Sequence, residues 1–360
     1  MVVVEATHLK ERRPWESLSP ICLLSRPVGL DLAKHIFQVH CVDASGCVVL
    51  NKSVRRNRLL EFFVSLPRSI VGLEACGSAH HWARELIKLG HDARMMPPAY
   101  VKPYIRRQKN DAADAAAICE AATRPSMRFV AVRSLENQAA LMRHKAREML
   151  VSQRTQLLNG LRGHLTEVGV IAPQGPKHAR ELADRIEACD ETIPIEVCEA
   201  LAPLVVQLRS LDEAIARLER TVAKLAHQDE TARRLMSIPG FGPITASAMA
   251  ASVQDVSNFA GPREFAAFLG LTPKQNSSGG KQRLGRISKM GNRELRRLLV
   301  VGAHAVLFHR RPHTDPLRLW AKKLVEQKPF KLVAVALANK MARIAFAILR
   351  DKTVYRGLPA

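Results

Sequence analysis

The chain changes its hydrophobic rhythm once, and the change divides it. Over roughly the first hundred residues, apolar positions come in short runs bounded by turn residues, the pattern of strands alternating with helices. Residues 28–34 and 37–42 read as strands, and a turn at 43–46 leads into a third at 47–50. Residues 59–66 suit a short helix, 70–74 a buried strand ending on a carboxylate, 80–89 a helix stopped at Gly90, and 92–96 another strand. Such alternation predicts an α/β domain. The alanine-rich run at 106–120 predicts a helix that carries Asp111 and Asp114 on one face.

From about residue 135 the spacing becomes helical. Leu150, Leu157, Leu161 and Leu165 form one apolar face, while Met142, Ala146, Met149, Gln153, Gln156 and Gly160 mark another. Residues 169–176 break the helix. Beyond a second short helix, Leu204, Leu208, Leu211, Ile215, Leu218, Val222 and Leu225 recur by fours and threes. This heptad seam predicts a coiled coil or helical hairpin, closed either within the chain or against a second copy. A last domain opens near Thr231, and residues 293–307 read as one of its helices. The apolar run at 332–349 is interrupted by Lys340 and Arg343, which favours a buried helix over a membrane span. The expected organisation is a leader at 1–24, an α/β domain at 25–132, a helical arm at 133–229, a mostly α-helical domain at 230–350 and a tail at 351–360.

Composition adds a partner. Among 360 residues, Lys and Arg outnumber Asp and Glu by 55 to 33, a formal charge of +22. That excess favours a polyanion, because cations that neutralise phosphates release condensed counterions. The seven cysteines form no Cys-x-x-Cys pair, which argues against a zinc module, and the first twenty residues lack an apolar signal core. Free thiols in a reducing, cytoplasmic compartment are expected.

Four features carry chemistry. The acids Asp31, Glu74, Asp111 and Asp114 fall on the first strand, the end of a later strand and a following helix. Several carboxylates converging in this way suit Mg²⁺, which binds through a few of them together with phosphate oxygens. An N-cap role is the plain alternative for Asp111. The cations Arg106, Arg107 and Lys109 lie directly before the helix acids and suit a phosphate backbone. Residues 238–246 contain Gly240 and Gly242 in a Gly/Pro turn between helices, similar to a helix-hairpin-helix module whose amides meet a phosphate. Residues 275–292 read Gln-Asn-Ser-Ser-Gly-Gly-Lys-Gln-Arg-Leu-Gly-Arg-Ile-Ser-Lys-Met-Gly-Asn. Here Ser277 and Ser278 precede a glycine pair and the cations Lys281, Arg283, Arg286 and Lys289. A hydroxyl beside charged donors fits attack on a phosphodiester. Neither serine sits in a Gly-x-Ser-x-Gly elbow, and His304 and His309 cannot be assigned to either from sequence.

Residues 273–292 resemble the serine signature of the IS110-family transposases, also called bridge-RNA-guided recombinases, and the acids follow that family's order. The resemblance implies an N-terminal RNase H-type, RuvC-like domain whose Asp31, Glu74, Asp111 and Asp114 bind Mg²⁺. It places the nucleophile on DNA at Ser277 rather than Ser278. It further implies donor and target DNA as partners, a structured noncoding guide RNA, and a homo-oligomer, dimer or tetramer, with no membrane. The alternatives are a metal-dependent nuclease of the Holliday-junction type, which needs the acids but not the serine, and a non-catalytic nucleic-acid scaffold, which needs only the charge.

Overall fold

A computed structural model describes residues 27–105, 110–173, 175–281, 283–308 and 315–357. The expected leader at 1–24, the cations Arg106, Arg107 and Lys109, and His309 lie outside the described residues. The chain forms two compact units that divide after Ser134.

The first unit is a five-stranded sheet with helices on both faces. Its elements are β1 (Pro27–Asp31), β2 (Ile36–Val42), β3 (Val48–Arg55), α1 (Leu59–Val64), β4 (Ile70–Glu74), α2 (Ala79–Lys88), β5 (Asp92–Met96), α3 (Pro98–Val101) and α4 (Asp111–Ala122). The strand order is β3-β2-β1-β4-β5. A β1–β2–β3 meander pairs antiparallel, whereas β1–β4 and β4–β5 are parallel. Side chains alternate across a strand, and the alternation sorts this sheet's two faces. Val28, Leu30, Val71 and Leu73 join one core with Phe63 and Leu86 of α1 and α2. Gly29 and Gly72 turn the other way, toward α4. A Cβ on Gly29 would lie 1.9 Å from the Ala115 carbonyl oxygen, and one on Gly72 would lie 2.7 Å from the Ala122 Cβ. Glycine in the strands and alanine in the helix therefore let α4 lie almost against the sheet backbone.

The second unit is helical apart from one hairpin. It comprises α5 (Leu135–Glu167), α6 (Pro176–Glu187), α7 (Ile195–Gln228), α8 (Glu230–Met236), α9 (Pro243–Ser252), α10 (Pro262–Phe268), β6 (Pro273–Gln275), β7 (Leu284–Ile287), α11 (Arg293–Phe308), α12 (Pro316–Val325) and α13 (Phe330–Asp351). Arg147 pairs with Glu219 and Arg154 with Asp212, so seven residues forward on α5 meet seven back on α7. The two long helices run antiparallel. Of the heptad residues, Leu208, Leu211, Ile215 and Val222 are buried within this unit. Of the two closures the seam allows, the one within the chain is used, because α5 and α9 cover it. The second face of α5 behaves oppositely: Met142, Met149, Gln153, Gln156 and Gly160 are exposed. The helical arm and the C-terminal segment thus belong to one compact unit.

α13 is long and apolar enough to cross a membrane by length and composition, yet half of its most apolar window is buried in the unit. Val333, Leu337, Met341, Ala345 and Phe346 form its inward face, packed with Leu295 and Leu299 of α11 and Phe265 of α10.

Candidate functional site

The alternation that turns Gly29 toward α4 also turns Asp31 there, two residues on. α4 starts where its first turn can meet that strand end. Its N-cap is Asn110, whose Oδ1 accepts the Ala112 N–H at 2.9 Å. Asp111 is thus not the cap, and it occupies the first helical position with Asp114 one turn on. One carboxylate oxygen from each of Asp31, Asp111 and Asp114 lies within 4.8 Å of the other two.

Three acids so close repel one another. Burial pushes the Asp31 pKa up to about 6, and the charges of Asp114, Asp111 and Glu74 add to the shift. Glu74 ends β4, beside β1, and Leu30 pairs with Leu73 one residue before both acids. It contributes to the field at Asp31 but lies outside the group of three oxygens. The oxygen donors and the crowded negative charge fit a hard divalent cation. A sequence signal for this juxtaposition exists: Val28-Gly29-Leu30-Asp31 is repeated as Val71-Gly72-Leu73-Glu74, and the register sets the copies side by side.

Ser277 belongs to the second unit. The stretch forms a two-stranded hairpin, with β6 antiparallel to β7. Gly279 and Gly280 take φ of +56° and +74° at its tip, and the Lys281 N–H reaches the Ser278 carbonyl at 3.1 Å. Two successive positive φ values are the geometry of a tight hairpin turn, which only glycine adopts freely. Across the hairpin, the Arg283 backbone N–H donates to Ser277 Oγ at 3.1 Å, and the Asn276 N–H to the Arg283 carbonyl at 2.9 Å. Ser277 Oγ thus accepts a hydrogen bond from the opposite strand. Ser277, Ser278, Lys281, Arg283, Arg286 and Lys289 are all exposed.

The root of this hairpin is rigid, and sequence reasoning missed what holds it. Arg296 Nη1 donates to the Leu269 and Met290 carbonyls at 2.9 and 2.8 Å, and Asn339 Nδ2 to the Leu271 carbonyl at 3.0 Å. Gly270 and Gly291 have positive φ, and a Cβ on Gly291 would lie 1.8 Å from the Phe268 carbonyl oxygen. The glycines that bracket the stretch were the available signal.

The other expected contacts divide. Gly240 is occupied by packing, since a Cβ there would meet the Gly302 carbonyl oxygen at 2.7 Å. Gly242 has open space and caps the start of α9. His304 packs against Phe308 and Phe330.

Comparison with known proteins adds to this geometry. A family model for a transposase of the IS110 DEDD type matches residues 28–170, and one described as "Transposase IS116/IS110/IS902 family" matches residues 232–317. A "Probable family 20 transposase" of Pseudomonas aeruginosa is 48% identical over 335 residues, covering 92% of this chain and 99% of its own. The "Transposase for insertion sequence element IS1111A" of Coxiella burnetii is 40% identical, covering 91% of each chain. The "Transposase for insertion sequence element IS1328" of Yersinia enterocolitica is 38% identical, covering 91% of this chain and 98% of its own.

Proposed function

The chain belongs to the IS116/IS110/IS902 family of transposases, and from that premise we propose that Ser277 is the nucleophile with which it cuts and rejoins DNA. It is a DNA transposase, and DNA is its partner. The observation that carries the serine reading is the hairpin: an exposed hydroxyl, oriented by the Arg283 N–H, two residues before a glycine turn and among four exposed cations.

The chemistry balances without an energy source. As Ser277 Oγ attacks phosphorus, the Oγ–P bond forms and the bond from phosphorus to one sugar oxygen breaks. The serine proton ends on that leaving oxygen. One phosphodiester replaces another, so a sugar hydroxyl of a second strand can reverse the step and rejoin DNA. Lys281, Arg283, Arg286 and Lys289 stabilise the added negative charge on the phosphoryl oxygens. Asp31, Asp111 and Asp114, with Glu74 adjoining, hold the divalent cation, assigned as Mg²⁺, which when bound supplies Lewis-acid stabilisation. Gly242 at the start of α9 and the basic segment with Arg106, Arg107 and Lys109 take phosphates of the bound nucleic acid.

Sequence choice is assigned to a structured noncoding RNA that pairs with donor and target DNA, while the protein reads RNA shape and backbone. The charge of +22 supports so large a polyanionic load. The protein works as a homo-oligomer in the cytoplasm. With the heptad seam covered, the supporting surface is the exposed face of α5 that bears Met142 and Met149. Met142→Glu with Met149→Glu should lower the sedimenting mass; an unchanged mass would move the interface elsewhere.

Trapping a covalent protein–DNA adduct on the insertion sequence's own termini tests the serine. Wild type should give the adduct, Ser277→Ala none, and Ser278→Ala a measurable amount, with nucleic-acid binding near wild type in all three. Loss of the adduct in Ser278→Ala alone would move the nucleophile by one residue. Metal-dependent cutting by wild type with no adduct would favour the structure-specific nuclease.

A further inference from the structure

A groove of about 790 Å³ in the second unit has no part in the reading above. One wall is the outward face of α13, opposite the side that packs into the core. A second is Trp320 of α12, and the lip includes Pro273 and Ile287, the cross-strand pair at the base of the serine hairpin. The lining is mostly aliphatic. Its only charged members are Lys340 and Arg343, two cations one turn apart, and neither forms an ion pair among the described residues.

Lys340 Nζ lies 4.2 Å from the centroid of the Trp320 ring. Burial and the neighbouring Arg343 hold its pKa below the usual lysine value. A partly desolvated cation beside a second one raises the free energy of the free protein, and an arriving anion would relieve it. The anion that fits must also cover an aliphatic wall and an indole. A small inorganic anion would leave those surfaces wet, and an apolar helix of another copy would leave both cations uncompensated. A nucleotide offers a phosphate and a flat apolar base together. In a duplex the base faces are stacked out of reach, so the nucleotide has to be unstacked.

The connection to the hairpin sets where that nucleotide lies. Pro273 precedes Ser277 by four residues, and an extended chain rises about 3.3 Å per residue, which gives at most about 13 Å. At the stacked rise of about 3.4 Å per nucleotide that distance is at most about four phosphate steps, and an unstacked strand covers it in fewer.

We propose that this groove captures an unstacked nucleotide of the DNA strand, within about four positions of the phosphodiester that Ser277 engages. Lys340 and Arg343 hold its phosphate, and its base lies along Trp320 and the aliphatic wall of α13. The proposal rests on reading the hairpin as the strand-cleaving element.

The test uses the full chain and a twelve-residue oligothymidylate carrying 5-iodouracil, photocrosslinked and mapped to peptides, together with salt-dependent binding of the unmodified oligonucleotide. The crosslink should fall in the peptide holding Trp320. Trp320→Ala should weaken binding about tenfold, the scale of one base–aromatic stack, and Trp320→Phe should restore most of it. Lys340→Gln with Arg343→Gln should flatten the slope of log K against log salt by about 0.7, the value for one neutralised phosphate on a single strand. A loss of packing alone would leave that slope unchanged. Crosslinks confined to other peptides, with the slope unaltered in the double variant, would overturn the proposal. So would a change of oligomeric state in Trp320→Ala with oligonucleotide binding intact, which would assign the groove to a protein partner. If wild type forms the serine adduct but no Trp320 crosslink, the groove falls and the strand-cleavage reading stands. A Trp320 crosslink with no adduct would overturn the strand-cleavage reading and leave the groove a single-strand site.

Discussion

The acidic cluster and the serine hairpin are built in opposite ways. Asp31 sits at the end of a central strand whose other residues are buried, and α4 is pressed on it through glycine-to-alanine contacts. Moving any of its acids relative to the others means moving a core element. Ser277 stands on a short hairpin whose described residues from Pro273 to Arg286 are all exposed, and whose local geometry comes from backbone hydrogen bonds and two glycines. Only the root is tied to the core, through Arg296 and Asn339. A metal site needs several charged oxygens held together against repulsion, and here packed core elements beneath them do so. A nucleophile that must reach into bound nucleic acid needs exposure instead. On the proposed reading, the exposed cations around Ser277 would be organised by the phosphates they bind.

The contrast can be broken first at the acids. Asp31→Ala removes an oxygen donor, and DNA cleavage should fall more than about a hundredfold, a loss that changes beyond the ligands themselves already approach. EDTA should reproduce the effect on wild type. Full cleavage in EDTA would leave the three acids as a structural feature.

Stability should separate the two regions next. Gly29→Ala places a methyl group 1.9 Å from a backbone oxygen of α4, so the helix must shift. Overpacking of this kind costs about 1–3 kcal/mol, a drop of order 10 °C in the melting of the first unit. Gly280→Ala meets nothing within 4 Å, and its strain at positive φ, about 1 kcal/mol, stays in an exposed hairpin. Its melting temperature should fall by no more than about 2–4 °C while adduct formation slows. Equal melting losses in the two variants would erase the distinction.

The smallest effect is a pH dependence. The folded pKa of Asp31 is about 6, raised above the ordinary 3.8 by burial and by the charges of Asp114, Asp111 and Glu74. The folded state therefore holds a proton that the unfolded chain has released, and stability falls as pH rises from about 4 to about 6. Metal-free protein should melt a few degrees lower at pH 7 than at pH 4.5 from this group. Mg²⁺ at pH 7 should recover the loss, and Asp31→Asn should remove both the pH slope and the Mg²⁺ response. Calorimetry with and without metal checks each sign.

Much of this was legible in the chain. Runs of apolar residues ending in acids mark β1 and β4, alanines mark α4, and the heptad spacing marks α7, because burial on one face leaves a periodic trace in sequence. Pairs of residues that are distant in sequence leave none. The strands of the serine hairpin span three and four residues, too short for a period to register. The seam of α7 reads the same whether α5 of the same chain or another copy covers it, and only the antiparallel register of Arg147 with Glu219 decides that. Asp111 had the sequence of an N-cap until the fold gave that place to Asn110. What sequence alone determined is therefore the kinds of element and the residues that can carry charge and attack. Which acids meet, which face of a helix stays open and how Ser277 is held were decided by tertiary structure, because each depends on contacts between segments that local periodicity does not encode.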